Sequence, residues 1–203
     1  IQGQGGDNHF RPEFLRRLRA LADRHEALLI FDEVQTGLGA TGTMWAFEQL
    51  GVVPDLLVFG KKTQVCGIMS TTRIDSAEKN VFHLSSRINS TWGGNLVDMV
   101  RCARALQIIE EERLVENAAR TGKLFLDGLR ELERRVPAVT NARGRGLLLA
   151  FDLPDKEQRN AARQRFWDAG LATLACGQRG IRFRPPLVFG PAEVERALAI
   201  LRS

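Results

Sequence analysis

The chain has 203 residues, of which 44% are apolar, so it is long and apolar enough to bury a hydrophobic core. No apolar stretch approaches the roughly 18 to 20 residues that cross a bilayer, and the N-terminus lacks the basic-then-apolar order of a signal peptide. The net charge of +5 comes mainly from scattered arginines, which indicates solvated helix faces rather than a nucleic-acid surface. We therefore expect a globular cytoplasmic protein with neither nucleic acid nor membrane as a partner.

The three cysteines indicate a reducing compartment. Cys66, Cys102 and Cys176 are odd in number and form no C-x-x-C pair, so we expect neither a disulfide framework nor a zinc site, and no metal. The sequence starts at Ile1, without methionine and without the start of a helix or strand. From this we expect a piece of a longer protein.

The first half of the chain predicts a helix and two buried strands. Pro12 suits the first turn of a helix, and apolar residues recur at helical spacing up to about His25. An apolar strand follows at Ala27 to Phe31, then a short amphipathic segment, then a second apolar run from Asp55 to Gly60. Strands that are buried on both faces need no alternation of polar and apolar residues, so these two predict a mainly parallel, covered sheet.

The second half predicts a different layout. Leu96 to about Arg135 has a helical pattern, with a break near Arg113 to Glu116. Beyond it, short strands alternate with helices: a strand at Gly146 to Leu153, a helix at Lys156 to Ala169, strands around Leu171 to Leu174 and Ile181 to Phe183, and a helix after Pro191. This α+β arrangement places a domain boundary within the long helical segment. We expect a large-domain remainder over 1–95, a helical connection over 96–135 and a small domain over 136–203.

The stretch LLIFDEVQTGLGATG, Leu28 to Gly42, allows three chemistries. An apolar strand that ends in Asp-Glu is typical of a magnesium-holding strand in P-loop ATPases, but the partner motif G-x-x-x-x-G-K-S/T does not occur in the chain. A dinucleotide-binding turn needs its first glycine directly at the strand end, whereas mostly polar residues intervene here. The glycines of GLGATG then form only a flexible turn. The ATPase interpretation stays open at this point.

The third chemistry needs a lysine, and the next strand supplies one. Asp32 ends the first strand and Lys61 follows the second, DLLVFGKK. In a parallel sheet the C-terminal ends of neighbouring strands lie side by side, so the carboxylate and the amine meet in one crevice. The pair suits pyridoxal phosphate, because a lysine forms a Schiff base with the aldehyde and an aspartate keeps the ring nitrogen protonated.

Four stretches carry a family resemblance: LLIFDEVQTGLGATG, PDLLVFGKKTQVCG, NSTWGGN and IRFRPPLV. Together they resemble the class III, fold type I aminotransferases, most of all the L-lysine 6-aminotransferase group. The similarity extends over essentially the whole chain but covers only about the C-terminal half of such enzymes. It implies an α/β fold: the rest of a large pyridoxal-phosphate-binding domain with a mainly parallel sheet, followed by a small α+β domain.

The resemblance implies roles for residues around the cofactor. Lys61 resembles the Schiff-base lysine, since Gly60 supplies the small residue that the family has before it; Lys62 is the competing candidate. Asp32 resembles the partner of the ring nitrogen, and burial of such an aspartate is costly unless it meets a cation. Val34 and Gln35 resemble the family's residues that pack on the ring face and hydrogen-bond its phenolic oxygen. Glu33 is expected to be a structural acid.

Three further positions concern the second subunit and the substrate. Thr91 resembles the threonine that binds the cofactor phosphate in the partner's site, which implies a homodimer with shared active sites; it could also cap the following helix. Arg182 resembles an arginine that binds a substrate carboxylate, with Arg184 as a competitor on the same strand face. Gln4 stands where relatives have a glutamate that pairs with this arginine.

The expected activity is transfer of the terminal amine of L-lysine, or of a similar ω-amino acid, to 2-oxoglutarate. Two alternatives remain. The chain could be a catalytically inert fragment, or another class III aminotransferase that acts on ornithine or 4-aminobutyrate.

Overall fold

The computed structural model describes residues 1–88, 91 and 93–203, which form two compact units. We call the first the lysine unit; it comprises Phe10–Leu38 and Trp45–Glu112. The second, the arginine unit, comprises Ile1–His9, Gly39–Met44 and Arg113–Ser203. None of the helices in the described part of the chain combines the length and the apolar character that crossing a bilayer requires.

The lysine unit is built on a three-stranded sheet. Helix α1 (Pro12–Arg24) begins with proline in its first turn, as predicted, and buries Leu15 in a small core with Leu50 and Val52. Strands β1 (Ile30–Asp32), β2 (Leu56–Phe59) and β3 (Gly67–Ser70) follow in that order in the sheet. β1 and β2 are parallel and β2 and β3 antiparallel, so the predicted parallel arrangement holds for one of these two pairings.

A charged network fastens α1 to the start of β2. The buried Asp55 accepts the Leu29 N–H at 2.7 Å and a hydrogen bond from Arg19 Nη1 at 2.8 Å. Burial alone would raise the pKa of Asp55, but these hydrogen bonds outweigh it and hold the pKa below its ordinary value. Asp55 is therefore a structural residue at the N-terminal end of β2.

The long helical segment divides where the sequence predicts a break. Helix α2 (Leu96–Glu111) ends before Arg113, whose φ of +53° lies in the left-handed region, and α3 (Leu114–Arg135) begins directly after it. The side chain of Asn95 accepts the Val97 N–H at 2.9 Å and so caps α2. The alternative role of Thr91 as this cap is therefore wrong.

The arginine unit contains a four-stranded antiparallel sheet in the order β4-β5-β7-β6. Its strands are β4 (Thr140–Arg145), β5 (Leu148–Asp152), β6 (Leu174–Cys176) and β7 (Gly180–Phe183). Helices α3, α4 (Lys156–Asp168) and α5 (Pro191–Arg202) enclose a core around Phe125, Leu129 and Phe151. β4 was not predicted, because its sequence TNARGR is polar, and β6 begins at the end of its predicted range. The domain limits at 95 and 135 stay a prediction.

The glycine-rich stretch after β1 is a tightly packed turn rather than the flexible one that we expected. Leu38, Ala40 and Thr41 are buried, and the Ala40 carbonyl accepts the Leu147 N–H at 2.8 Å. A Cβ on Gly146 would lie 2.4 Å from the Thr41 carbonyl carbon, so only glycine allows this approach. The part of the turn from Gly39 to Met44 is thus packed within the arginine unit.

Candidate functional site

The parallel pairing of β1 and β2 brings the predicted acid and the predicted lysine to one edge of the sheet. Asp32, the last residue of β1, is in register with Val58 of β2, and the Glu33 N–H donates to the Val58 carbonyl at 2.9 Å. β2 ends one residue later, at Phe59, and a 3-10 turn over Lys61–Thr63 follows Gly60. Asp32 therefore lies at the C-terminal end of β1, and Lys61 lies two residues beyond the C-terminal end of the neighbouring parallel strand, where open α/β sheets bind ligands.

The Asp32 carboxylate is held by a backbone N–H two residues further along the chain. Its Oδ1 accepts the Val34 N–H at 3.0 Å, which orients the side chain and leaves Oδ2 for another donor. The Asp32 side chain is exposed in this chain, so the expectation of a buried aspartate is wrong. Its position at the end of β1 agrees with the prediction.

The two candidate lysines differ in what holds them. Lys62 Nζ donates to the Gln35 carbonyl at 2.8 Å and to the Gly37 carbonyl at 2.9 Å. For Lys61, by contrast, no hydrogen bond or ion pair to the ammonium occurs within the described residues. An exposed amine that nothing holds can react with an added group, whereas one bonded to two carbonyls would first have to break these bonds. This difference favours Lys61.

Lys61 has an uncommon backbone conformation. Its φ is +57°, in the left-handed region that non-glycine residues rarely adopt, and Gln64 at the end of the turn has φ +61°. Such conformations persist only where the surroundings hold them, and they concentrate at functional sites. The Gln64 N–H donates to the Lys61 carbonyl at 3.0 Å, which closes the turn.

The neighbours of Asp32 divide into structural and accessible residues. Glu33 is buried and accepts the N–H groups of Ala46 at 2.7 Å and Phe47 at 2.8 Å, so it stabilises the start of a 3-10 turn, as a structural acid should. Val34 and Gln35 are half-buried, and Thr91 is exposed. The roles proposed for these last three stay predictions.

The arginine unit holds the second group of predicted residues. Arg182 on β7 is only 9% exposed, and its Nη2 donates to Gln4 Oε1 at 2.6 Å. Its Nε and Nη1 are buried without a hydrogen-bond partner in the described structure. Because Gln4 is neutral, this pairing satisfies one N–H of the guanidinium and leaves its charge uncompensated. Buried unpaired donors on a charged group call for an anion such as a carboxylate.

Arg184, the competing arginine, is already paired. Its Nη1 and Nη2 bind both carboxylate oxygens of Asp7, a fully buried residue. Burial alone would raise the pKa of Asp7, but the His9 ring, 3.6 Å away, and the hydrogen bonds from Arg184 outweigh it and hold the pKa below its ordinary value. Both terminal nitrogens of Arg184 are therefore committed to Asp7, whereas Arg182 has no carboxylate partner within the described residues.

A second ion pair completes this group. Arg143 Nη2 binds Asp152 Oδ1 at 2.9 Å and Arg143 Nε donates to the Asp7 carbonyl at 3.0 Å. The sequence analysis missed Asp7, Arg143 and Asp152, and nothing in their spacing could have indicated them, since Asp7 and Arg184 lie 177 positions apart. We call the six residues Gln4, Asp7, Arg143, Asp152, Arg182 and Arg184 the polar cluster.

Comparison with known proteins identifies the family. The profile of the class III aminotransferases matches residues 1–203. The chain belongs to this family. It is 55% identical to an L-lysine-epsilon aminotransferase of Amycolatopsis lactamdurans over 205 residues, which is all of this chain but 46% of that protein. It is 38% identical over 194 residues to the mitochondrial 4-aminobutyrate aminotransferase of Sus scrofa, covering 93% of this chain and 37% of the relative.

A solved structure of a lysine aminotransferase from M. tuberculosis superposes with a TM-score of 0.96 at 52% identity. It matches all of this chain, and 47% of the solved one. The fold is thus that of the fold type I aminotransferases, and the chain spans about half the length of the relatives that it matches. The cofactor of class III aminotransferases is pyridoxal phosphate.

The lysine unit fits this cofactor. Pyridoxal phosphate carries an aldehyde, which needs a free amine, and a basic ring nitrogen, which needs a carboxylate. Lys61 offers the first and the Oδ2 atom of Asp32 the second, at the same edge of the sheet. The chemistry of these two groups agrees with what the family requires.

Proposed function

We propose that this chain is the C-terminal part of a pyridoxal-phosphate-dependent aminotransferase that moves the terminal amine of L-lysine to 2-oxoglutarate. The observation that carries the proposal is a contrast between two neighbouring lysines: the Lys62 ammonium is bonded to two carbonyls, while that of Lys61 has no partner among the described residues. Lys61 follows β2, the strand that pairs with the end of β1 at Asp32. The choice of lysine as substrate rests on 55% identity to an L-lysine-epsilon aminotransferase.

The residues of the lysine unit would act as follows. Pyridoxal phosphate, when bound, supplies an aldehyde that bonds to amines and a ring that withdraws electrons. Lys61 would hold it through the side-chain nitrogen and, once released by a substrate amine, accept and return a proton as general base and acid. Asp32 would keep the proton on the ring nitrogen, with its orientation fixed by the Val34 N–H. Val34 and Gln35 would contact the ring and its phenolic oxygen.

Arg182 would bind a carboxylate of the substrate. Its Nε and Nη1 are buried donors without a partner in the described structure, and its charge has no compensating partner in Gln4. 2-Oxoglutarate and glutamate carry a second carboxylate, whereas lysine carries only one, so the pair of Gln4 and Arg182 is where the two kinds of substrate would be distinguished.

We also propose a homodimer. Helix α2 exposes a row of apolar side chains, with Leu96 78%, Val97 66% and Val100 69% exposed. A contiguous apolar surface of this kind marks an interaction site, and a symmetric contact between copies is the common solution. Thr91, five residues before α2, would bind the cofactor phosphate of the partner's site. The three cysteines are free, which agrees with a cytoplasmic location.

The proposal is tested by reducing the full-length protein with borohydride in the presence of pyridoxal phosphate and mapping the labelled peptide. We expect the pyridoxyl group on Lys61, and no label in Lys61→Ala. A label on Lys62 would overturn the residue assignment but not the family chemistry. The same treatment of the 203-residue chain alone separates a working site from an inert fragment. Amine transfer from ornithine or 4-aminobutyrate in preference to lysine would support the alternative substrates.

A further inference from the structure

The side chain of Lys62 connects the two segments that carry the cofactor residues. Lys62 belongs to the 3-10 turn that begins with Lys61, after β2. The carbonyls that it binds, those of Gln35 and Gly37, belong to the segment that leaves β1 directly after Asp32. One ammonium group thus bonds the chain beyond β1 to the chain beyond β2.

Lys61 depends on its surroundings for its conformation. Its left-handed backbone is held on one side by Gln64, whose N–H and Nε2 both donate to the Lys61 carbonyl, at 3.0 and 3.3 Å. Arg101 of α2 in turn donates to Gln64 Oε1 at 3.1 Å. On the other side the direct chain neighbour of Lys61 is Lys62, whose ammonium is bonded to two carbonyls of the segment after Asp32.

We propose that Lys62 is a positioning residue: its ammonium fixes the turn of Lys61 relative to the segment of Asp32, so that amine and carboxylate keep a constant separation. The inference rests on the proposed function, because only there do Lys61 and Asp32 act on one bound molecule. Hydrogen bonds from a charged ammonium to carbonyls are stronger than hydrogen bonds between neutral groups, so a single side chain suffices to hold two loop segments together. Small displacements of a reacting group lower rates steeply, which gives such a clamp a catalytic consequence.

The clamp is tested first without cofactor, by hydrogen exchange in the full-length protein. The reporters are the Gln64 N–H, bonded to the Lys61 carbonyl, and the Gly37 N–H, bonded to the Glu33 carbonyl at 2.9 Å. In Lys62→Met, which keeps the chain length but not the charge, we expect both amides to exchange about tenfold faster, equivalent to about 1.4 kcal/mol. Lys62→Arg, which retains charged donors, should remain near the wild type. Lys79→Met, at an exposed lysine of the same unit, is the control and should change neither amide.

The catalytic consequence is tested with cofactor bound. Because Lys61 would serve both half-reactions, Lys62→Met should lower kcat by about the same factor, near tenfold, with lysine and with 2-oxoglutarate, while both KM values stay within about twofold. A lower melting temperature with unchanged kcat would overturn the positioning role, as would unchanged exchange at both reporter amides. If the wild type carried no borohydride-fixed label on Lys61, the proposed function would fail and this role with it; a normal label with an unaffected Lys62→Met would overturn the positioning role alone.

Discussion

The substitution Gln4→Glu tests whether the neutral partner of Arg182 sets the balance between substrates. The polar cluster holds three guanidinium groups and two carboxylates, so one positive charge, that of Arg182, has no compensating anion. Glutamate at position 4 would place a carboxylate oxygen where the Gln4 amide oxygen now lies, 2.6 Å from Arg182 Nη2. Its backbone position is held independently, because the Gln4 carbonyl accepts the Gly177 N–H at 2.9 Å.

The size of the effect follows from the charge. Two unit charges about 4 Å apart attract by about 4 kcal/mol at an effective dielectric constant of about 20. With glutamate at position 4, a substrate that brings a carboxylate to Arg182 must displace this attraction, whereas an amino-bearing substrate benefits from the cancelled charge. Since the side chain can swing into solvent, we expect about a third of the attraction in the specificity ratio. This gives roughly 1.4 kcal/mol, or a factor of about ten.

The assay compares kcat/KM for lysine with that for glutamate in single half-reactions of the full-length protein. Gln4→Glu should raise the ratio of lysine to glutamate about tenfold. Gln2→Glu is the matched control, since it makes the same chemical change two residues away, where the side chain bonds Asn8 at 2.8 Å and not an arginine. An unchanged ratio in Gln4→Glu, or an equal change in Gln2→Glu, would refute the role of Gln4 in specificity.

Two further predictions concern association. Thr91→Val should weaken binding of pyridoxal phosphate to the dimer by about tenfold or more, because one charge-assisted hydrogen bond of roughly 1.5 to 3 kcal/mol is lost; titration of cofactor absorbance measures this, and a fully active monomer would contradict it. Val100→Asp should shift the full-length protein from dimer to monomer in sedimentation, since it buries a charge in the proposed contact. Val53→Asp, at another valine exposed to 64%, should leave the dimer intact, and a dimer that survives Val100→Asp would exclude α2 as the contact.

The sequence predicts those parts of the fold that are determined by the local periodicity of apolar residues and by residues that start or end helices and strands. Pro12 marks the start of α1, and the apolar run after Asp55 marks β2, because each signal is strong over a few residues. β4 was not predicted from the sequence, because its six residues TNARGR show no alternation of apolar and polar residues. It is a strand because β5 pairs with it. Tertiary pairing, not local preference, decides such a strand.

The same division applies to the candidate site. Asp32 and Lys61 could be predicted as candidates because one ends a recognisable strand and the other closely follows the next, and parallel pairing places these strand ends together. The choice between Lys61 and Lys62, and between Arg182 and Arg184, rested on resemblance alone in the sequence. The structure adds a physical reason, since Lys62 and Arg184 are bonded to partners that are distant in sequence.

The last prediction concerns acid and the buried pair of Asp7 and Arg184. The pKa of Asp7 is held below its ordinary value because the nearby His9 ring and the hydrogen bonds from Arg184 outweigh the opposite effect of burial. A depressed folded-state pKa means that the unfolded state binds protons more readily, so the ionised Asp7 contributes stability above its unfolded pKa of about 3.9, and this stability is lost as the pH falls through the lower, folded value. The same direction holds for Asp55 in the lysine unit.

In Asp7→Asn the Arg184 guanidinium keeps one hydrogen-bond acceptor but loses its counter-charge, and breaking a buried pair in this way costs about 3 to 5 kcal/mol. We therefore expect the free energy of unfolding, measured in urea at pH 6, to fall by about this amount in Asp7→Asn. The difference from the wild type should shrink as the pH is lowered below about 4, because the wild type then loses the same charge. Asp127→Asn, at an exposed aspartate paired with Lys123 on the surface of α3, should cost little at either pH. A difference between Asp7→Asn and wild type that stays constant down to pH values where the wild type itself unfolds would show that the charge of Asp7 does not stabilise the arginine unit.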